Sequence, residues 1–232
     1  MCIRDRSGIL RKKIPVIISK QKYNKAMETI LKRASSIKAK VINTEKISSR
    51  IKIGLKGKHQ YENASTAYTA AKQLLPSMCS LKTKDALKKV SWHGRIENID
   101  QGEITKFRKN ITILDGSHNQ DGAYVLNEYL KQKPLLKWNL IIGMLNNRDI
   151  KSFVNTFKQH IHKAFVISIP NVSNSYDPND MCSRLIGTGI ETYPMKNFEE
   201  ALKYSDKEAP LLITGSLYLA GYVLKFNKTE IV

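Results

Sequence analysis

Cysteine is scarce in this sequence, and long apolar runs are missing from it. The three cysteines, Cys2, Cys79 and Cys182, are too far apart for a disulfide framework or a thiolate metal clamp. This scarcity favours a reducing, cytoplasmic compartment. No apolar run approaches the about 18–20 residues that a membrane-spanning helix needs, so no membrane partner is expected. The start "MCIRDRSGILRKK" has no apolar segment behind its basic residues and is no secretory signal. We expect residues 1–7 to be a non-native leader.

Acidic residues are few relative to basic ones, and the formal net charge is +19. An excess of this size is compatible with a nucleic acid or another anionic partner. The basic residues are spread along the whole chain, however, and no zinc finger, RNP-type aromatic motif or basic zipper accompanies them. We therefore do not expect nucleic acid to be the main partner, and an anionic small-molecule substrate fits the same charge.

The periodicity of the chain changes near residues 86–92. Before that point, residues 8–88 contain a few short strand and helix patterns, at 15–19, 22–40, 40–44, 47–55, 62–75 and 83–90. Beyond it, residues 89–232 alternate strands with helices. The predicted strands are 111–114, 139–144, 164–169, 190–193 and 210–214, and the predicted helices are 120–132, 149–160, 178–187, 197–204 and 216–226. Regular alternation of this kind predicts an α/β fold with a doubly wound, parallel sheet.

Three strand-to-helix junctions are unusual in their polar and small residues. They read "DGSHN" at 115–119, "GMLNNRD" at 143–149 and "TGSLY" at 214–218. Ligands of open parallel sheets collect outside the carboxyl ends of the strands, where helix N-termini attract anions. Taken alone, "DGSHN" is as compatible with a capped turn as with a site, and "TGSLY" favours a turn with Ser216 as the helix cap. In "NNRD", the alternative is that Asn147 or Asp149 caps the next helix. None of the junctions is a Walker loop, because G-x-x-x-x-G-K-[ST] occurs nowhere in the sequence.

The order of the motifs carries more information than any one of them. "GLKGKHQYENA" (54–64), "WHGRIE" (92–97), "ILDGSHNQDGA" (113–123), "IIGMLNNRDI" (141–150) and "ITGSLYLAGYVL" (213–224) follow one another in the chain. Together they resemble the folylpolyglutamate synthase and dihydrofolate synthase family of the Mur ligase superfamily. The resemblance extends from about Pro15 to Leu224 and covers the C-terminal portion of such an enzyme.

The resemblance implies a fold, a reaction and a set of partners. Residues 8–88 would be the C-terminal remnant of the central ATPase domain, and residues 89–232 a Rossmann-like, mainly parallel C-terminal glutamate-ligase domain. Members of the family use ATP and Mg²⁺ to join L-glutamate to a pteroate or folate through an acyl phosphate, and we expect the full-length enzyme to be a monomer. The metal ligands and the glycine-rich ATP loop are expected upstream of this chain, so the chain alone should be inactive.

Five residues match positions that the resemblance associates with substrates. Asn63, Arg95 and Asp115 would bind ATP, through the adenine side, the phosphates and the ribose hydroxyls respectively. His118 and Ser216 would lie at the glutamate and phosphate pocket. The alternative interpretation for Asn63, Asp115 and Ser216 is that they cap helices or turns.

Two departures from the family pattern concern the same regions. His93 stands where proline is usual in "W-P-G-R", and Arg148 stands where lysine is commoner in "GML-x-DKD". The first changes the restraint on the loop that carries Arg95, and the second keeps the charge. Dihydropteroate and folylpolyglutamate both remain open as the first substrate. Two other functions also remain open: a Mur-type amide ligase acting on a peptidoglycan or polymer precursor, and a non-catalytic domain that binds anions or nucleic acid.

Overall fold

The computed structural model describes residues 7–21, 23–77, 80–134 and 136–230. Cys2, Cys79 and residues 1–6 of the predicted leader lie outside the described residues. The chain divides into two compact units between Ser91 and Trp92, slightly beyond the predicted boundary at 88/89. We call them the first unit and the second unit.

Over the described residues of the first unit, the strands and helices are β1 (Val16–Ile18), α1 (Asn24–Ser36), β2 (Val41–Asn43), α2 (His59–Leu74) and α3 (Ser80–Lys89). Strands β1 and β2 pair in parallel. Helix α1 buries Ala26, Ile30 and Ala34 at helical spacing, and Ile30 and Ala34 join Ile18 in a small apolar core. The strands and helices predicted from apolar periodicity here are confirmed, with one exception.

The strand predicted at 47–55 is wrong. The segment alternates in polarity, but it forms no strand in the structure. Just before and at the start of this segment, the backbone donates to side chains of helix α2 instead: Glu45 N–H donates to Thr69 Oγ1 at 2.8 Å and Ile47 N–H to Ser65 Oγ at 3.1 Å. Alternation reports which side chains face inward, but a strand also needs a neighbouring strand to pair with.

The second unit is built on a six-stranded sheet with strand order β3-β4-β8-β5-β6-β7. All its pairs are parallel except β3 with β4. Its elements are β3 (Glu97–Asn98), β4 (Thr112–Leu114), α4 (Gln120–Leu130), β5 (Trp138–Ile142), α5 (Ile150–Asn155), β6 (Ile161–Val166), α6 (Pro178–Leu185), β7 (Glu191–Pro194), α7 (Phe198–Tyr204), β8 (Leu211–Thr214) and α8 (Leu217–Phe226), with 3₁₀ helices at Glu103–Phe107 and Lys158–His160. The predicted doubly wound, mainly parallel α/β fold is confirmed.

Helices cover both faces of this sheet, which explains the continuous apolar runs of its strands. Helices α4, α5 and α6 pack on one face, and α7 and α8 pack on the other. Strand β5 is buried at every residue. Leu140 and Ile142 pack in the core on the face covered by α4, α5 and α6, and Ile141 packs in the core on the face covered by α7 and α8. Complete burial of such a side chain stabilises the fold by about 1.5–3 kcal/mol. The sheet is therefore a rigid base for the loops at its carboxyl end.

The helix predicted at 149–160 is shorter than expected. Helix α5 ends at Asn155, and the chain then tightens, with Phe157 N–H donating to Val154 O at 3.1 Å. Phe157 is fully buried and contacts Phe153 edge to face, with ring centroids 5.3 Å apart. Packing of this ring into the core thus ends the regular helix before the 3₁₀ turn.

Asp149 caps the N-terminus of α5, as one interpretation of "NNRD" predicted. Its Oδ1 accepts from Ser152 N–H at 3.0 Å and its Oδ2 from Ser152 Oγ–H at 2.6 Å. Asp149→Ala is expected to lower the free energy of unfolding by about 1 kcal/mol near pH 7. The Ser152 hydrogen bonds hold the pKa of Asp149 below its usual value. The cap therefore contributes fully above the ordinary carboxyl pKa, and its contribution is lost as the pH falls through the lowered pKa. Urea unfolding at several pH values checks this: a constant difference between wild type and variant down to strong acid would contradict it.

Candidate functional site

The three unusual junctions meet at one edge of the sheet. Strands β4, β8 and β5 are neighbours, and the junctions follow their carboxyl ends. Backbone hydrogen bonds tie them together: Asp115 N–H donates to Ile213 O at 2.9 Å, Gly215 N–H to Ser117 O at 3.1 Å and Gly143 N–H to Thr214 O at 3.4 Å. Because β8 inserts between β4 and β5, motifs distant in the chain form one continuous rim.

Asp115 is the buried carboxylate of this rim, with an exposed fraction of 3%. Its Oδ1 accepts from Ser117 N–H and its Oδ2 from Ile96 N–H, both at 2.9 Å. Burial raises the pKa of Asp115 above its usual value, against these N–H donors and the positive charge of Arg95. The carboxylate therefore holds two loops in register.

Arg95 lies on a tight turn between α3 and β3. Gly94 has φ +68°, and its carbonyl accepts from Gly116 N–H at 2.8 Å. Ile96 has φ +49°, a strained value for a β-branched residue, while its side chain is buried in the core. The Arg95 side chain is exposed, and its guanidinium donates no hydrogen bond to any residue that the structure describes. A guanidinium in this position is available to an anionic ligand.

His118 is half-buried at the turn before α4. Its Nδ1 lies 3.0 Å from Gly116 O, and since a carbonyl only accepts, Nδ1 carries the proton. The neutral ring then presents Nε2 as an acceptor, and the protonated ring presents it as a donor. The helix itself is capped by Asn119, whose Oδ1 accepts from Gly122 N–H at 2.9 Å.

Ser216 is a buried helix cap. Its Oγ accepts from Tyr218 N–H at 3.1 Å at the start of α8, with Leu217 and Tyr218 exposed beside it. The capping interpretation of Ser216 thus describes its contact in the structure. Its hydroxyl hydrogen remains able to donate, so the cap does not conflict with a polar ligand nearby.

Asn63 lies in the first unit and does not cap a helix. Helix α2 begins at His59, earlier than the predicted start, so Asn63 lies inside it. Its Nδ2 donates to Gln60 Oε1 at 3.0 Å. The capping alternative for Asn63 is therefore wrong, and its ATP-binding role stays a prediction.

Sequence reasoning missed Glu97 and Ile96. Glu97 Oε2 accepts from Gly94 N–H at 2.7 Å and Oε1 lies 2.8 Å from His93 Nδ1. The available signal was the acid three residues after Gly94, at a spacing that lets a side chain return to a turn amide. The strained backbone of Ile96 has no sequence signal, because isoleucine normally avoids positive φ.

A groove of about 290 Å³ lies elsewhere in the second unit. None of the five predicted residues contributes to it. The groove is lined by residues of β5, β6, β7 and α7 and of the segments that follow β7 and precede β8: Asn139, His162, Lys163, Phe165, Tyr193, Met195, Tyr204, Asp206 and Ala209.

Among the residues that the structure describes, no group of three or more His, Cys, Asp or Glu side chains is placed to hold a metal ion. Across the same residues, no helix combines the length and apolar character needed to cross a membrane.

Comparison with known proteins adds a family to this geometry. Residues 97–226, more than half of the chain, match the family described as "Dihydrofolate synthetase, C-terminal domain". The dihydrofolate synthase/folylpolyglutamate synthase of Bacillus subtilis is 25% identical over 191 residues, which cover 78% of this chain and 42% of that protein. The chain thus spans less than half the length of this relative.

Solved structures show the same fold. The folylpolyglutamate synthase of Mycobacterium tuberculosis, complexed with ADP and AMPPCP, aligns over 99% of this chain and 60% of its own, with TM-score 0.82 and 16% identity. The bifunctional folylpolyglutamate synthase/dihydrofolate synthase of Yersinia pestis, complexed with AMPPNP and a Mn ion, aligns over 96% and 55%, with TM-score 0.75 and 15% identity. Because residues 97–226 match the family, the chain belongs to the folylpolyglutamate synthase and dihydrofolate synthase family and corresponds to its C-terminal portion.

Proposed function

We propose that the full-length protein is a cytoplasmic ligase that uses ATP to add L-glutamate to dihydropteroate or to a folylpolyglutamate. The observation that carries the proposal is the exposed Arg95 guanidinium, held beside the rim formed by "DGSHN", "GMLNNRD" and "TGSLY". Residues 8–88 would be the end of the ATPase domain, and residues 89–232 the glutamate-ligase domain. Family membership and the nucleotide complexes of the solved relatives support this assignment.

The proposed reaction has two steps. The terminal phosphoryl group of ATP passes to the carboxylate of the pteroate or folate, and ADP leaves. The glutamate nitrogen then attacks the acyl carbon, phosphate departs and the nitrogen loses a proton. In both steps negative charge develops on oxygen atoms in the transition state. A preorganised cation and hydrogen-bond donors therefore lower the activation free energy.

Each predicted residue has a place in this scheme. Arg95 would offset phosphate charge, Asp115 would bind ribose hydroxyls while holding the loops, and Asn63 would contact the adenine side. His118 and Ser216 would lie at the glutamate and phosphate pocket, where the Ser216 hydroxyl can donate to an anionic oxygen. As the family resemblance implies, residues that precede this chain in the full-length protein would hold Mg²⁺.

Turnover assays test the proposal directly. ADP release by the full-length protein, with Mg²⁺ present, should require both L-glutamate and a pteroate or folate. A panel that includes peptidoglycan precursors identifies a different acid substrate, and oligonucleotide binding that weakens steeply with salt would instead favour the non-catalytic alternative. The 232-residue chain alone should release no ADP. Sedimentation should show a monomeric full-length protein.

Arg95→Ala should reduce ATP-dependent turnover of the full-length protein at least about tenfold, through a higher KM for ATP, because charge-assisted phosphate contacts are lost. Arg95→Lys should retain part of the activity, since it keeps the charge but not the planar fork. Lys203→Ala is the matched control: Lys203 is exposed on α7, pairs with Glu199, and its loss changes the net charge equally. Unchanged kinetics for Arg95→Ala, or an equal loss for Lys203→Ala, would remove Arg95 from the site.

A further inference from the structure

We infer that Glu97 and His93 are positioning residues for Arg95: the Glu97 carboxylate closes the turn that presents the guanidinium, and the His93 ring restrains it. The inference rests on the proposed ATP-binding role of Arg95. The motif marks Glu97 only by its spacing from Gly94, since an acid at a strand start is ordinarily a solvated surface residue. Its hydrogen bonds separate it from that ordinary case.

Both carboxylate oxygens of Glu97 contact the two residues just before Arg95. Oε2 accepts from the Gly94 backbone N–H at 2.7 Å, and Oε1 lies 2.8 Å from His93 Nδ1. The side chains of His93 and Glu97 are 35% and 20% exposed. A carboxylate that binds a backbone amide and a ring together restricts the turn more than an exposed ion pair does.

The turn explains why a restraint is needed at His93. Gly94 has φ +68°, in the left-handed region, and His93 directly precedes it in the turn. Proline is favoured directly before a left-handed glycine in a turn, because its ring fixes φ near −65°. Histidine leaves φ free, so its ring contact with Glu97 supplies a restraint that the backbone here lacks.

The other side of Arg95 is held independently. Ile96 N–H donates to Asp115 Oδ2 at 2.9 Å, and the Ile96 side chain is 2% exposed in the core. Arg95 thus stands between two backbone amides, each bound to a different carboxylate. The backbone at Arg95 is fixed while its guanidinium is free to bind, an arrangement that reduces the entropy lost on phosphate binding.

A double-mutant cycle in the full-length protein distinguishes positioning from general stabilisation. Glu97→Ala should raise the KM for ATP about five- to tenfold with a smaller effect on kcat, and Glu97→Gln should restore most of the loss, because its amide oxygen still accepts from Gly94. In the Arg95→Ala background, Glu97→Ala should add less than about twofold. Fully additive effects, or equal effects of Gln and Ala, would overturn the inference.

The role of His93 has its own comparison. His93→Ala should raise the KM for ATP, whereas His93→Pro should not, because proline restrains the turn without Glu97. Glu97→Ala should therefore cost less in the His93→Pro background than in wild type. An equal cost in both backgrounds would overturn this part.

Amide exchange separates this inference from the proposed function. By NMR, the Gly94 amide should be protected in the wild type and should exchange faster in Glu97→Ala, while the Ile96 amide stays protected. Equal exchange at Gly94 in both proteins would overturn the positioning role. Absence of folate-dependent ADP release by the wild type would instead overturn the proposed function.

Discussion

Gly215→Ala is expected to lower the free energy of unfolding of the second unit by about 2–5 kcal/mol, from left-handed backbone strain together with overpacking. Gly215 has φ +114°, and an added Cβ would lie 2.7 Å from the Gly143 carbonyl oxygen and 2.9 Å from Ile142 Cγ1. Moving the backbone oxygen or the buried strand away from this Cβ would disrupt the packing of the sheet and cost free energy. The rim where β8 meets β5 would therefore have to separate.

Gly187→Ala is the matched control for this prediction. Gly187 has φ +80°, but nothing lies within 4 Å of the position of an added Cβ. Its substitution carries only the backbone strain, about 1–2 kcal/mol. Denaturant unfolding followed by the fluorescence of Trp138, which is fully buried in the second unit, measures both variants. Equal losses at the two positions would show that steric contact at the rim has no cost.

Asp115→Ala is the second large effect, because it leaves the Ser117 and Ile96 amides without their acceptor. An unsatisfied buried donor costs about 1–3 kcal/mol, so we expect a loss of about 2–4 kcal/mol of stability. Loss of the Ile96 contact also frees one side of Arg95, so the KM for ATP of the full-length protein should rise. A stability loss with an unchanged KM would restrict Asp115 to a structural role.

Asp115→Asn adds a test in pH. The raised pKa of Asp115 means that the folded state keeps this proton to higher pH than the unfolded state does. The contribution of the side chain is therefore complete below the ordinary carboxyl pKa of about 3.9 and declines as the pH rises through the raised value. Asparagine does not titrate and retains one acceptor, so its stability should lie between wild type and alanine. The difference in the free energy of unfolding between wild type and Asp115→Asn should become smaller as the pH rises from acid. A difference that grows with pH would contradict the raised pKa.

Local sequence patterns predicted much of the second unit because burial there is regular. Strands buried on both faces read as apolar runs, and helices covering them read as periodic segments, so β4 to β8 and their helices could be placed within a few residues. Capping chemistry is equally local, which is why the cap of α5 could be narrowed to Asn147 or Asp149, and the structure selects Asp149. Where the pattern needed a distant partner, as at 47–55, it predicted the wrong element.

The five candidate site residues show the same division. His118 and Asp115 follow directly from a strand that ends in polar residues, and their location at the carboxyl edge was predictable. The hydrogen bond between Asp115 and Ile96 joins residues far apart in the chain, and no local sequence pattern predicts it. Because asparagine favours caps, the sequence predicts Asn63 at a helix start, but α2 already begins at His59.

The sequence by itself determined the doubly wound α/β class of the second unit, the order of its junction motifs and, through that order, the resemblance to a ligase family. Those features depend on residue type and spacing along the chain. Only the tertiary structure decided that β8 lies between β4 and β5, that two carboxylates hold the backbone on either side of Arg95, and that His93 contacts Glu97. These depend on strand order and on backbone angles such as those of Gly94 and Ile96, which long-range packing imposes and local propensity does not encode.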